Sequence, residues 1–168
     1  DSTVVMRGLS DVPTDSTILA PGATGDFAFT ASEPGNRFYY GTFPGRTMRD
    51  RRVEDGHLAG AIVVDAPETP GVRRMKEHVL VVTVSYHSAD SLGRLNNDRE
   101  LHTVNGRPWP RTQRLTGAVG DSMRFRVINA TRDTHPFHLH GVYFRVDARG
   151  SAVRDTTYAV AERRMAVT

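Results

Sequence analysis

Cysteine is absent from this 168-residue sequence, so neither a disulfide bond nor a thiolate metal ligand can form within the chain. Lysine is nearly absent, since Lys76 is the only one, and the arginines are spread along the chain. The net charge of +3 therefore gives no indication of a nucleic-acid-binding surface. No apolar run is long enough to span a membrane, and no signal peptide is visible. Because the chain opens at Asp1 without a methionine, we interpret its start as a cut.

One segment is dense in positive charge. Arg46–Arg52 holds four arginines, but Asp50 interrupts it and Glu54 and Asp55 follow. This mixture of charges predicts a solvated loop. Elsewhere the composition is that of an ordinary globular protein, and 38% hydrophobic residues are enough for a packed core.

The first part of the chain reads as a series of short strands. Leu58–Asp65 is apolar and predicts a buried strand that closes this part of the fold. Turn residues such as Pro34–Asn36 separate the earlier strands, and no segment up to residue 65 reads as a helix. Short strands at this spacing predict an all-β sandwich. The earlier segments with strand character are Val4–Leu9, Ile18–Ala20, Phe27–Thr30 and Arg37–Tyr40.

A proline-containing stretch divides the chain. We place a linker at residues 67–76, between a first domain of residues 1–66 and a second of residues 77–168. In the second, Val79–Ser85 is a continuous run of mostly β-branched apolar residues, which predicts a central strand buried on both faces. Two further strand-like pieces lie between Asp155 and Thr168.

The middle of the second part contains further turn and strand patterns. Val104–Gly106 predicts a turn, and Met123–Asn129 predicts a strand. Trp109 lies between two prolines and is expected to be a packing residue. His57, in the loop before the first closing strand, is expected to lie at the surface, and His78 and His87 are expected to be solvated or hydrogen-bonded.

The densest set of candidate metal ligands is the segment His135–Gly141, which reads HPFHLHG. Downstream, apolar Val142, Phe144 and Val146 alternate with polar or charged residues, as in a strand with one apolar face. His138 and His140 share the parity of that apolar set, so an unbroken strand would point both imidazoles into the interior. Imidazole donors suit copper or zinc better than magnesium or calcium. A zinc hydrolase would require a further acid close by, and none occurs before Asp147.

HPFHLHG, preceded by GDSMRFRVINA at residues 120–130 and by VNGRPWP at residues 104–110, resembles the HPxHLHG domain of laccase-like multicopper oxidases, three-domain bacterial type. The resemblance implies an all-β fold made of cupredoxin-like Greek-key β-sandwiches, here two incomplete domains. Residues 1–66 would be the later part of a copper-free domain, and residues 77–168 the earlier part of a copper-binding one. By position, the resemblance makes His135 a type 1 copper ligand, His138 a type 2 ligand and His140 a type 3 ligand.

The resemblance also implies a reaction and partners. The parent enzyme would oxidise small-molecule phenolic, amine or metal-ion substrates in one-electron steps at a type 1 copper and would reduce oxygen to water at a type 2 and type 3 cluster. The remaining cupredoxin segments of the parent chain would be its partners, with no nucleic acid or membrane, and it would be secreted or periplasmic. Where copper-bearing domains of the family carry histidine motifs, this chain has Met6–Leu9 and Tyr39–Thr42.

A blue copper centre requires a cysteine beside two histidines. Because this chain has none, we expect the isolated 168 residues to lack oxidase turnover. Two alternatives remain open at this point. The chain could be a non-enzymatic copper-binding cupredoxin module in which the histidines hold one ion, or a cupin-like metalloenzyme that uses His138 and His140 as a pair of ligands.

Overall fold

A computed structural model describes residues 2–9, 16–32, 34–51, 55–67, 75–86, 100–149, 156–157, 163–164 and 166–167. In these ranges all regular secondary structure is β-strand except for one turn of 3-10 helix, Met48–Asp50. The described residues form no helix with the length and apolar character needed to span a membrane. The strands are β1 (Val4–Arg7), β2 (Ser16–Leu19), β3 (Gly35–Thr42), β4 (Ala59–Val64), β5 (Lys76–Tyr86), β6 (Glu100–Val104), β7 (Met123–Asn129), β8 (Phe137–His138), β9 (Phe144–Arg145), β10 (Ala148–Arg149), β11 (Thr156–Thr157), β12 (Arg163–Arg164) and β13 (Ala166–Val167).

The first sheet has the strand order β2-β1-β3-β4, and all its pairs are antiparallel. The predicted strands at Val4, Ile18, Arg37 and Leu58 all belong to it, although β4 is half-buried rather than fully buried. Glycine makes room for a side chain here, because a Cβ at Gly60 would collide with the phenol of Tyr39, the residue opposite it on β3. The phenol of Tyr39 therefore packs directly on the backbone of β4.

The strand predicted at Phe27–Thr30 is wrong. These residues have no regular secondary structure, and both phenylalanines are exposed. Their rings lie 6.1 Å apart and contact each other. None of the described strands pairs with them, and alternation alone does not make a strand without such a partner.

The second sheet has the order β6-β5-β7, with β5 in the centre as predicted. Val81 and Val84, which face opposite sides of β5, are both buried. β5 pairs antiparallel with β6 but parallel with β7, so Lys76 lies opposite Met123 and Val82 opposite Asn129. The predicted turn follows β6, where Asn105 and Gly106 both have positive φ, 51° and 73°. That is the backbone of a type I′ turn, which asparagine and glycine favour.

Trp109 is not a packing residue, because 83% of it is exposed. The two prolines that flank it keep this segment out of the ladder between β5 and β6, and no strand in the described part of the chain covers the indole. The proposed linker, residues 67–76, falls largely outside the described residues, and so do His87 and the polar stretch that follows it.

The two sheets are joined by arginines. Arg126, on β7, donates to Asn36 Oδ1 at 2.8 Å and to Asp65 Oδ1 at 2.7 Å, both in or beside the first sheet. It also donates to Glu77 Oε1 on β5 at 2.6 Å. A further bridge connects His57 Nδ1 to Thr83 Oγ1 at 3.0 Å. Polar contacts of defined geometry therefore fix how the two sheets face each other.

Arg51 makes the most buried of these connections, with only 5% of its surface exposed. Its guanidinium donates to four backbone carbonyls: those of Asp55 at 2.9 Å, Gly56 at 3.0 Å, Leu58 at 3.2 Å and Ala130 at 3.0 Å. Burial lowers the pKa of Arg51, and the nearby charge of Asp55 opposes this effect. The solvated loop predicted for the arginine cluster is thus wrong at Arg51, since its guanidinium satisfies four backbone carbonyls instead of facing water.

We predict that Arg51→Met lowers the free energy of unfolding by about 3 kcal/mol, because it leaves several buried carbonyls without a donor. Arg49→Met is the matched control, because Arg49 is exposed in the same segment, and its effect should stay within about 0.5 kcal/mol. Urea unfolding followed by circular dichroism measures both. Equal effects of the two substitutions would contradict the assignment.

Candidate metal centre

The predicted ligands lie on a strand that the structure breaks into short pieces. β7 ends at Asn129, a loop carries His135, and β8 covers only Phe137–His138 before a turn at His140–Gly141. β8 pairs with β13, with His138 opposite Ala166, and β9 pairs with β12. The histidines therefore follow the last strand of the second sheet in the chain, and His138 lies in a separate two-stranded sheet formed by β8 and β13.

The prediction that His138 and His140 point into the interior is wrong. Both are exposed, whereas Phe137 and Phe144 are half-buried with ring centroids 5.8 Å apart. Gly141 has a φ of 76°, a left-handed conformation that ends the extended chain. The alternation of buried and exposed residues around Phe144 does not continue through this turn. On its other side Phe137 and Leu139 are the half-buried residues, and His138 and His140 are the exposed ones.

The structure nevertheless brings His138 and His140 together. Their ring centroids are 4.7 Å apart and their planes are at 82° to each other. Two imidazoles this close, on an exposed face, offer nitrogen donors to a metal ion that other ligands would complete.

His135 lies apart from that pair in a half-buried position. Its Nε2 is 2.8 Å from Thr131 Oγ1, within the loop that follows β7. Its ring meets that of His102 edge to face, with centroids 5.4 Å apart. Phe137, two residues on, packs against Phe125 on β7 and so anchors the loop to the second sheet.

His102 is the residue near the site that sequence reasoning missed. It lies on β6, far from HPFHLHG in sequence, and carries no motif. Its Nε2 is 3.1 Å from Glu100 Oε2, and the side chain is about half exposed. The one available signal was that Glu100 and His102, two apart on a strand, share a face.

Among the described residues, no group of three or more histidines or acids lies close enough to hold a metal ion. The candidate ligands form two pairs, His135 with His102 and His138 with His140. The imidazole donors fit copper in kind, but this part of the chain does not provide a complete coordination sphere for any one ion. Asp147 is engaged with arginines, at 2.5 Å from Arg145 Nε and 3.7 Å from Arg124 Nη2, so it is poorly available as a hydrolytic base.

The other described histidines have structural surroundings. His57 is exposed, as expected, and its Nδ1 contacts Thr83, whose hydroxyl oxygen is 2.6 Å from that of Thr103. His78 is half-buried and stacks on Phe125 with centroids 5.8 Å apart. The Met6 and Tyr39 stretches, which lack histidine, are neighbours in the first sheet, where Met6 lies opposite Gly41.

Comparison with solved structures establishes the fold. The crystal structure of a blue copper oxidase from Nitrosomonas europaea superposes with a TM-score of 0.62 over 92% of this chain and 46% of that chain, at 20% sequence identity. This match concerns the fold alone, and with the two described sheets it confirms an all-β, cupredoxin-like β-sandwich architecture.

Sequence comparison then establishes the family. The sequence model of a family described as multicopper oxidase matches residues 82–167, just over half of the chain. The chain belongs to the multicopper oxidase family. It is also 29% identical over 145 residues to a probable nitrite reductase-hydroxylamine oxidoreductase fusion protein from Kuenenia stuttgartiensis, covering 80% of this chain and 16% of that protein. The chain thus spans less than half the length of both relatives.

We predict that Phe137→Ala loosens the segment that carries the histidines, because Phe137 packs between Phe125 and Phe144. The free energy of unfolding should fall by about 2 kcal/mol, less than for a fully buried ring. Amide hydrogen exchange should also accelerate between residues 129 and 145. Tyr143→Ala is the control, because Tyr143 is 68% exposed, and it should leave both measurements unchanged.

Proposed function

We propose that this chain is part of a copper-dependent oxidase that oxidises phenolic, amine or metal-ion substrates in one-electron steps and reduces oxygen to water. The observation that carries the proposal is the family match, because residues 82–167 contain the whole HPFHLHG segment. Copper, when bound, supplies the one-electron chemistry, and imidazole nitrogen can coordinate it in either oxidation state.

Each histidine of HPFHLHG has a separate role in this proposal. His135 would be a type 1 copper ligand, His138 a type 2 ligand and His140 a type 3 ligand. The separation of His135, half-buried beside His102, from the exposed pair of His138 and His140 supports a division between sites. The exposure of that pair supports completion of its coordination by the remaining cupredoxin segments of the parent chain.

The proposal also includes a division of the chain into parts of two domains. Residues 1–66 would be the later part of a copper-free domain and residues 77–168 the earlier part of a copper-binding one, joined through residues 67–76. The first sheet places Tyr39 against Gly60 and Met6 against Gly41, side chains that serve packing. We also propose that the parent protein is secreted or periplasmic.

The second candidate function is a non-enzymatic copper-binding module. The observation that favours it is the closeness of His138 and His140, at 4.7 Å between ring centroids, which could hold a surface ion without a cluster. Copper stoichiometry, optical absorption and electron paramagnetic resonance separate the two functions in the parent protein. A multicopper oxidase gives several copper ions per molecule and the blue thiolate absorption of its type 1 site, whereas a simple binder gives one copper ion with a histidine-coordinated resonance signal.

The first functional prediction concerns copper uptake. Separate replacement of His135, His138 and His140 by alanine should weaken copper binding about tenfold or more, because each removes a direct ligand. His57→Ala should leave binding unchanged, because His57 is exposed and engaged with Thr83. Copper per chain after equilibrium dialysis measures the effect, and equal losses from all four substitutions would contradict the ligand assignment.

The second functional prediction concerns turnover. The purified 168-residue chain should consume no oxygen with a phenolic substrate, since it has no cysteine for a type 1 site. An oxygen electrode measures oxygen uptake. Loss of nitrite under anaerobic conditions is measured separately, because one relative is named for nitrite reduction. Sustained turnover by the chain, in the absence of any other polypeptide, would refute the proposal that other segments complete the sites.

A further inference from the structure

The loop between β7 and His135 is held by a compact set of hydrogen bonds. The side chain of Asn129 spans it: Asn129 Nδ2 donates to the carbonyl of Asp133 at 2.7 Å, and Asn129 Oδ1 accepts from the backbone N–H of Thr131 at 3.0 Å. The hydroxyl oxygen of Thr131 lies at the centre, 2.7 Å from Asn129 Oδ1, 3.0 Å from the Asp133 carbonyl and 2.8 Å from His135 Nε2. This set of hydrogen bonds therefore includes the imidazole of His135.

These contacts fix the orientation of the Asn129 amide. If the amide were rotated by half a turn, its oxygen would lie against the carbonyl oxygen of Asp133, and its NH₂ group would face the N–H of Thr131. Both contacts would be repulsive, so Asn129 Oδ1 is the atom that faces the Thr131 hydroxyl.

The hydroxyl of Thr131 has one hydrogen to share among these neighbours. Asn129 Oδ1 and the Asp133 carbonyl can only accept, and each lies within hydrogen-bond distance of Thr131 Oγ1. If the hydrogen were given to His135 instead, two oxygen–oxygen contacts of 2.7 Å and 3.0 Å would have no hydrogen between them. Giving the hydrogen to one of these oxygens leaves only one such contact, so the favoured arrangement has the imidazole hydrogen on Nε2 and Thr131 Oγ1 as its acceptor. Thr131 Oγ1 also accepts from the backbone N–H of Asp133 at 3.2 Å, which uses its other lone pair.

We infer that Asn129 and Thr131 are positioning residues that hold His135 as the Nε2–H tautomer, so that its Nδ1 presents the lone pair to copper. The inference rests on the proposed function for the role of copper, but not for the tautomer. The metal ligand is the neutral ring nitrogen, and which nitrogen is free is decided by the hydrogen bond that the other one makes. Here the bond to His135 comes from Thr131, whose hydroxyl is in turn oriented by Asn129 at the end of β7. The end of β7 therefore determines which ring nitrogen is free to bind the metal.

Long-range ¹H–¹⁵N nuclear magnetic resonance on the metal-free protein, at about pH 8 where imidazole is neutral, tests the inference directly. His135 should be almost wholly in the Nε2–H form, and its ring N–H should exchange with solvent about fivefold more slowly than in Thr131→Val, which removes one net hydrogen bond. Thr131→Ser should restore the slow exchange. Thr134→Val is the matched control, because Thr134 is exposed in the same loop, and it should change neither quantity.

A second variant keeps the test decisive if Thr131→Val does not fold. Asn129→Ala removes the nearer of the two acceptors and leaves only the Asp133 carbonyl to compete with His135 for the hydroxyl hydrogen, so the Nδ1–H form should increase relative to wild type. A wild-type ring in the Nδ1–H form, or an exchange rate equal in wild type and Thr131→Val, would overturn the inference. Neither result depends on copper, whereas the proposed function is tested by copper uptake in the histidine variants, so the two failures are distinguishable.

Discussion

The buried guanidinium of Arg51 is the contact on which the arrangement of this molecule depends. It donates hydrogen bonds to backbone carbonyls in the loop before β4 and to the carbonyl of Ala130, the residue immediately after β7. Ala130 is almost completely buried and also donates its N–H to the carbonyl of Val82 on β5. The start of the histidine loop is therefore fixed from both sheets, and the position of His135 follows from that anchor.

Much of the fold could be predicted from sequence because its signals are local. The apolar run at Val79–Ser85 predicts a central strand since only a strand with neighbours on both sides buries such a run, and Asn105–Gly106 predicts a tight turn since both residues tolerate positive φ. The error at Phe27–Thr30 has a non-local cause: the pattern is right, but no partner strand is present among the described residues.

The sequence predicts which histidines are candidate ligands, but it does not predict how their side chains are oriented. HPFHLHG gives the donors, and the positions of His138 and His140 together in space agree with their spacing. Their direction depends on one glycine conformation, which reverses the alternation, and a periodicity argument has no access to that φ value. His102 reaches His135 only through the packing of β6 beside β5, a long-range consequence of the sheet order. Arg51 illustrates the same limit, because a charge cluster does not reveal which member is buried.

The parallel pairing of β5 with β7 has a consequence for how the protein reaches this structure. Parallel neighbours cannot be joined by a hairpin, so β7 must pair with a strand that lies far before it in the sequence. Contacts between distant residues close large loops and form slowly. The segment with the candidate metal donors follows β7 directly, so its place in the fold depends on a contact of this slowly formed kind.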